Sequence, residues 1–410
     1  MVMTPNRTNL LNTLGTPTFS RFASIPMHHT PLPYSARLIV RIAPIVVMVL
    51  AACTGEDLEV ADEAAAQRRS DSLRVVAERR QARADSLSQR FGPITYHRLA
   101  VSSQSILDSV RRTFAKTPDT WKNYRVLTLL NRKDIQYVRI GDTLVLPDTI
   151  MEDLRAYSVF PQYWPGGDTV RKAIFISNTW QAYACYQYGE LVRFAACNSG
   201  EERKPTLPGR YAVNWRDRKR ISSLDSTWIL PFTVNFHLYA GSEFHQCDMP
   251  GRPVSHSCVR QFMADAEWLY KWVRTARIDT ANHRFIPWTG TPVVILDVFD
   301  FRRRRGGPWL ELTSNSPVGI SLPDDVHAVE EALIPISQIP KEARGALPNR
   351  KRYVTADSVL RERGLIREGV SLRESINFNK LRQEKRRRKL EAQKKATADG
   401  PTSLVVPIRP

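Results

Sequence analysis

The chain has 410 residues and a formal net charge of +19, from 60 Lys and Arg against 41 Asp and Glu. That length is too great for one compact core and predicts two or more folded units. The positive charge indicates anionic surroundings, but no zinc-finger, RNA-binding or helix-turn-helix signature accompanies it, so we predict a solvated basic surface and no nucleic-acid partner.

Residues 1–53 are predicted to be a leader. The first part is polar and proline-rich, and Met27 is a candidate alternative start. Arg37 and Arg41 then precede an apolar run from Ile42 to Ala52, which is too short for a permanent membrane helix and is typical of a secretory signal. The run ends in Leu50-Ala51-Ala52-Cys53, which resembles a bacterial lipobox.

Cleavage before Cys53 and acylation of that residue would anchor the mature protein to a membrane. By the same resemblance, Thr54 at the next position favours the outer membrane, so the predicted location is the periplasm. The alternative is an ordinary signal peptide cleaved at an Ala-x-Ala-like site.

Residues 54–93 are predicted to be a charged helical tether. Their composition is rich in Ala, Glu, Gln and Arg, with Leu58, Leu73, Val76 and Leu87 loosely spaced at helical intervals, and Gly92-Pro93 ends the pattern.

Residues 94–150 are predicted to form a small α+β module. Short strands at 94–96 and 143–146 enclose helical patterns at 105–114 and 121–131. Ile140-Gly141-Asp142-Thr143-Leu144 and Pro147 resemble the closing half of a LysM module, which implies binding to peptidoglycan glycan. A docking domain without sugar binding is the alternative.

A linker is predicted around Pro161 and residues 164–167, and a mainly β domain over residues 165–300. Strands are expected at 173–177, 181–186, 190–194, 232–236 and 289–295, and a helix at 261–274. The segment 205–211 resembles the Thr-Pro-x-Gly turn of the family named next.

Cysteine chemistry is indicated between His237 and Arg260. A thiol is mostly protonated at neutral pH, so a nucleophilic cysteine needs a neighbouring imidazole. The run Ser255-His256-Ser257-Cys258-Val259-Arg260 resembles the active-site motif of the L,D-transpeptidases (YkuD-type catalytic domains), in which an upstream His precedes Ser/Thr-His-Gly-Cys. The resemblance implies a β-sandwich with a helix after the Cys loop.

Two positions depart from the family pattern. Ser257 replaces a Gly that supplies positive φ or close backbone approach, and Ser adopts that conformation only at a modest cost. Leu238 follows the first His where the family has Gly or Ser, but its carbonyl is still available to orient an imidazole.

By the resemblance, Cys258 is the nucleophile and His237 the general base. His256 is expected beside the thiolate, where it shapes an oxyanion hole with the Cys258 backbone N–H. We interpret His245 as a lid residue because it is close to Cys258 in sequence.

Substrate contacts are predicted for four further residues. Arg260 would bind a carboxylate through a bidentate contact, and Tyr239, Ser255 and Ser257 would line or orient the pocket.

Two other site classes use the same side chains. His237, His245, Cys247, His256 and Cys258 are potential zinc ligands, although their spacing is not that of a structural zinc site. An inert wall-binding lipoprotein is the other alternative, and a disulfide between two of Cys185, Cys197 and Cys247 is left open.

Residues 301–410 are predicted to be a basic tail, helical from Lys380 to Lys395, that is either solvated or in contact with an anionic polymer or membrane. Taken together, the resemblance implies a peptidoglycan L,D-transpeptidase that forms 3–3 cross-links, or joins another amine acceptor, through a thioester acyl-enzyme. No metal or organic cofactor is implied.

Overall fold

The computed structural model describes residues 55–303, 306–316 and 318–398. The predicted leader, with Cys53, lies outside these residues. The first element, α1 (Gly55–Ser88), confirms the predicted helix, and its side chains from Asp62 onward are mostly exposed. Within the described residues, no helix combines the length and hydropathy needed to cross a bilayer.

Four elements form a small module after α1. They are β1 (Tyr96–Ala100), α2 (Gln104–Thr113), α3 (Trp121–Asn131) and β2 (Thr143–Pro147), and β1 pairs with β2 antiparallel. The predicted order of two strands around two helices is therefore observed, but the first strand begins at Tyr96 rather than at residue 94. Asn131 ties α3 to β2, because its side-chain amide donates to the carbonyl of Val145 and accepts from its N–H, at 2.9 and 2.8 Å.

Two β-sheets follow, and both belong to the compact unit that starts at Ser72. The elements of this region, in chain order, are β3 (Ala173–Ser177), β4 (Ala182–Gln187), β5 (Glu190–Ala196), β6 (Gly209–Ala212), β7 (Trp215–Ile221), β8 (Ile229–His237), β9 (Ser242–Gln246), β10 (Val259–Gln261), α4 (Met263–Trp272), β11 (Ile278–Asp279), β12 (Arg284–Phe285) and β13 (Pro292–Ile295). Of these, β11 and β12 pair with each other in a short hairpin apart from the two main sheets. The larger sheet has the order β5-β4-β3-β13-β6 and the smaller one β10-β9-β8-β7. Alternating apolar residues from both sheets meet in one buried core, which includes Ile174, Tyr183, Val234, Phe244 and Val259.

The predicted linker is wrong. Trp164 is 2% exposed, its ring packs edge-on against Phe175 at 4.7 Å, and its indole N–H donates to the Pro323 carbonyl at 2.7 Å. A second apolar core contains Trp164 and Phe175 together with Val126 of the small module. The apolar side chains at 159–164 are buried because module and sheets share this core.

The predicted tail is also wrong for most of its length. Trp309 is buried in the core shared with the module, and α5 (Arg350–Glu362) buries Tyr353, Ala356 and Leu360 in the core between the two sheets. Apolar residues alternate with prolines in this region, so they do not recur at the spacing of a helix or a strand. The sequence pattern therefore does not predict these contacts. The basic helix is observed as α6 (Phe378–Ala398).

Candidate active site

The register of β9 and β10 brings the candidate thiol to a histidine. The two strands are parallel, and Arg260 lies opposite His245. Because side chains alternate along a strand and opposed residues share a face, Glu243 and His245 lie on the same face as Arg260 and as Cys258, which precedes β10. This face lines a cavity of about 460 Å³.

Three parts of the chain complete the cavity wall. They are the 255–260 motif, the loop and strand around Trp228, and a C-terminal strap, by which we mean residues 373–378. The lining residues used below are Lys204, Trp228, Glu243, His245, Cys247, Ser255, His256, Cys258, Arg260, Arg373, Glu374, Ser375 and Phe378.

Cys258 is a half-buried free thiol. Its Sγ donates to the Gly241 carbonyl at 3.7 Å, and burial together with the nearby Glu243 carboxyl raises the pKa of the thiol well above its ordinary range. A thiol whose pKa is raised stays protonated at neutral pH, in agreement with the need for a neighbouring imidazole. Proton removal must accompany attack, which makes the adjacent base essential.

His245 lines the same cavity as Cys258, and its ring is neutral, as a general base requires. Its Nδ1 lies 2.9 Å from the Gln246 carbonyl, and a carbonyl only accepts, so Nδ1 carries the hydrogen and Nε2 is free to accept a proton. Burial lowers the pKa of His245 to about 4, which keeps the ring neutral. The interpretation of His245 as a lid residue is wrong, since it lies on β9.

The structure does not bring His237 to the cavity. A register shift between Asn235 and His237 sets His237 opposite Ser242, on the other face of the sheet from His245. Its Nδ1 accepts from the Ala240 N–H at 3.0 Å, and its ring packs near Tyr211 and Tyr353. The assignment of His237 as base therefore fails, because the β-bulge reverses the direction of its side chain.

The predicted pocket residue nearest to His237, Tyr239, also lies elsewhere. Tyr239 packs against the core between the sheets and is not among the residues that line the cavity. Leu238 is exposed.

The Ser-His-Ser-Cys loop is held by its own hydroxyls. Ser257 adopts φ of 81°, so this position does require the left-handed backbone that glycine favours, and Ser supplies it. Its Oγ lies 3.0 Å from that of Ser242, and its carbonyl accepts from the Thr206 hydroxyl at 3.2 Å. Ser255 Oγ donates to the Cys258 carbonyl and so fixes the backbone beside the thiol. Ser255 lines the cavity, whereas Ser257 is not among the lining residues.

His256 and Arg260 are both in the cavity wall, as predicted. The His256 ring packs on Trp228 with 5.6 Å between ring centroids, and burial lowers its pKa. Arg260 donates to the Asp248 carbonyl at 3.4 Å, which leaves other N–H groups of its guanidinium free for a substrate.

Sequence reasoning missed the contribution of the strap. Ser375 accepts a hydrogen bond from Lys204 Nζ at 2.9 Å and donates to the Gln338 carbonyl at 2.9 Å. Phe378 packs against Trp228 with 5.8 Å between centroids. Lys204 is 5% exposed, and burial together with Arg373 lowers its pKa to about 8.

Metal and disulfide chemistry were the remaining alternatives. Within residues 55–303, 306–316 and 318–398, no three His, Cys, Asp or Glu side chains come together as metal ligands. Cys185, Cys197, Cys247 and Cys258 are all free thiols.

Part of the chain is similar to a known protein family. Residues 171–295 match the family model of the YkuD-type L,D-transpeptidase catalytic domain. That domain implies acyltransferase activity, and its family acts on peptidoglycan. A comparison with curated proteins gave no match.

Several solved structures of L,D-transpeptidases are similar to part of this chain. An L,D-transpeptidase from Xylanimonas cellulosilytica is 18% identical and covers 49% of this chain and 97% of its own, with a TM-score of 0.29. Those from Stackebrandtia nassauensis and Mycobacterium smegmatis are 19% and 14% identical and cover 31% and 30% of this chain, with TM-scores of 0.25. The alignments span 56% and 58% of these last two relatives.

Proposed function

We propose that this protein is a cysteine-dependent peptidoglycan L,D-transpeptidase in which Cys258 is the nucleophile and His245 the general base. The observation that carries the proposal is the shared cavity face of Cys258 and His245, with the His245 Nε2 left unprotonated by the bond from Nδ1 to Gln246. His245 replaces His237 in this role.

The first half-reaction forms an acyl-enzyme. As the Cys258 sulfur attacks the amide carbonyl that precedes the terminal D-amino acid of a stem peptide, the thiol proton passes to His245. The C–N bond of the tetrahedral intermediate then breaks, and His245 returns the proton to the departing amine. A thioester and a free D-amino acid result.

The second half-reaction transfers the acyl group to an amine. The amine nitrogen attacks the thioester carbonyl, a C–N bond forms and the C–S bond breaks, and the sulfur leaves as a thiol once it has received a proton. When the amine is the side chain of another stem peptide, the product is a 3–3 cross-link.

Two cationic side chains of the cavity are suited to bind the anionic groups of the donor peptide. Arg260 and Lys204 both line the cavity and both have N–H donors beyond those used within the protein, which suits a peptide carboxylate. The Cys258 backbone N–H, with His256 alongside, is the candidate oxyanion site.

The setting of the enzyme is a separate part of the proposal. Residues 94–150 would hold glycan as a LysM-like module, supported by the order of two strands around two helices. Export, acylation of Cys53 and a periplasmic, outer-membrane location rest on the sequence of the leader.

Intact-mass analysis tests the proposed chemistry. The purified protein is incubated with a tetrapeptide muropeptide or with a carbapenem, and one covalent adduct is expected. Cys258→Ala should abolish the adduct and Cys247→Ala should retain it, since only Cys258 has His245 as its base. An adduct on Cys258→Ala would contradict the assignment, and no adduct on the unmodified protein would favour an inert wall-binding role.

A further inference from the structure

The cavity contains a buried carboxyl that the first half-reaction does not use. Glu243 lines the cavity, is 3% exposed, and lies two positions before His245 on the same face of β9. Its Oε2 has no hydrogen-bond partner among the described residues. An unsatisfied buried acceptor is costly, so one is retained where a ligand supplies the missing donor.

The surroundings of Glu243 leave that oxygen available. Arg220 approaches from β7 with its Nε 3.6 Å from Oε2, which is an ion-pair distance and too long for a hydrogen bond. The Asn235 side chain and Asp217 also act on the carboxyl, and burial outweighs the cations to raise the pKa of Glu243 to about 7. The carboxyl can therefore take up and release a proton near neutral pH.

The other charges of the cavity do not duplicate this group. Lys204, Arg260 and Arg373 make the rest of the wall cationic. The second carboxylate in the wall, Glu374, is half-exposed and already pairs with Lys341 and Arg344 at 3.5 and 3.6 Å. Glu243 is thus the buried anionic group of the wall, and it lies close enough to Cys258 to raise the pKa of the thiol.

We propose, on the basis of the function proposed above, that Glu243 is the acceptor-side residue: it binds the ammonium group of the incoming acyl acceptor and takes its proton. The ligand class is therefore a primary ammonium, which supplies the N–H donor that Oε2 lacks. Water can donate a hydrogen bond to Oε2 but forms no ion pair with it, so Glu243 favours transpeptidation over hydrolysis of the acyl-enzyme.

The proton balance of the second step follows. The acceptor enters as an ammonium and gives one proton to the Glu243 carboxylate, which leaves a free amine. That amine attacks the thioester, and its second N–H proton passes through His245 to the departing sulfur of Cys258. The products are an amide, a neutral thiol and a protonated Glu243, which then releases its proton to solvent.

The test separates the two half-reactions of the full chain. Acyl-enzyme is formed with a tetrapeptide donor, and its partition between an amine acceptor and water is measured by mass spectrometry. Glu243→Gln, which keeps the shape and removes the charge, should lower the ratio of aminolysis to hydrolysis by about tenfold or more. Glu267→Gln is the matched control, because Glu267 is an exposed carboxylate on α4 that pairs with Lys271.

A second acceptor distinguishes this role from a structural one. Hydroxylamine is already uncharged at neutral pH. The acyl-enzyme of the Glu243→Gln variant should therefore react with hydroxylamine at nearly the same rate as that of the unmodified protein. An unchanged partition with the ammonium acceptor would overturn the inference, as would an equal loss with both acceptors. If the unmodified protein formed no acyl-enzyme at all, the proposed function itself would fail instead.

Discussion

His237 and His245 hold their ring hydrogens on opposite nitrogens. Nδ1 of His237 accepts from a backbone N–H, so its hydrogen is on Nε2, whereas Nδ1 of His245 faces a carbonyl and carries the hydrogen. Only the second arrangement leaves the outer nitrogen of the ring able to take a proton from a thiol. Both rings are neutral near pH 7, because burial lowers the pKa of each to about 4.

The histidine variants should therefore behave differently. His245→Gln is expected to lower the rate of acylation by about a hundredfold or more, in line with the loss of a general base. His237→Gln is expected to retain most of that rate and to lower thermal stability, because it disturbs packing against Tyr211 and Tyr353. Carbapenem acylation followed by stopped-flow fluorescence gives the rates, and equal losses in the two variants would refute the choice of His245.

The pH profile offers an independent check on the same base. A ring with a pKa of about 4 is in its basic form throughout the neutral range, and it is lost as a base only when the pH falls towards 4. The acylation rate should thus be nearly constant from pH 7 to about pH 5 and decline below it. Because Glu243 has a pKa of about 7 and acts on the Cys258 thiol, the profile is also measured for Glu243→Gln, and a midpoint near 6.5 that persists in this variant would mean that the base is a more exposed histidine.

The residues of the 255–260 motif show which parts of the site the sequence can predict. Ser255, His256, Cys258 and Arg260 could be predicted because their spacing is local and survives any change in the surrounding loops. The base could not, because the choice between His237 and His245 depends on the register shift beside His237. The alternation of Glu243 and His245, followed by Cys247, is a signal in the sequence that could have indicated His245.

At the scale of the elements, the strap forms part of the cavity wall. It is fixed by backbone contacts, with the Arg373 N–H donating to the Arg203 carbonyl at 2.8 Å and the Ser375 N–H to that of Ser337 at 2.9 Å. These contacts hold residues far outside the matched 171–295 domain against the cavity. The strap could not be predicted because its contacts are polar and join residues that are distant in sequence. The spacing of apolar residues predicts only the buried faces of helices and strands.

Ser375→Ala tests whether the strap orients Lys204. The variant removes the hydroxyl that accepts from Lys204 Nζ, and a hydrogen bond of this kind contributes about 1 kcal/mol, so kcat/KM for the donor peptide should fall roughly fivefold. The loss should appear mainly in KM. Ser358→Ala, on the exposed side of α5, is the control, and the same loss in both variants would argue against a role for the strap.

At the scale of the whole molecule, one apolar core links parts of the chain that the sequence assigned to different domains. Val126 of α3, Phe175 of β3 and Trp309 all belong to it. Arg132 is fully buried beside them, and its guanidinium lies over the rings of Phe194 and Trp309 at 5.7 and 5.6 Å. The separate helices and strands were predictable from the spacing of their apolar residues. Their packing into one core was not, because that spacing does not show which elements pack together.

A fragment of residues 165–300 should consequently be unable to fold alone. It would expose Phe175 and Phe194 on one side and the surface that α5 covers on the other, and burial of such side chains contributes roughly 1.5–3 kcal/mol each. A fragment of residues 90–376 retains both cores and should unfold in one cooperative transition. Circular dichroism melts of the two fragments decide the matter, and cooperative melting of the short fragment would contradict the prediction.

The contact between β1 and the segment after Trp309 also constrains how the chain acquires its structure. The Tyr96 N–H donates to the Thr313 carbonyl at 2.8 Å, and Asn315 exchanges hydrogen bonds with Ile94 at 2.9 and 3.0 Å. A ribosome must complete more than half of the polypeptide between these partners, and closing so long a loop is slow. During synthesis, the outer edge of β1 therefore stays unpaired until the chain has been extended beyond Thr313 and Asn315.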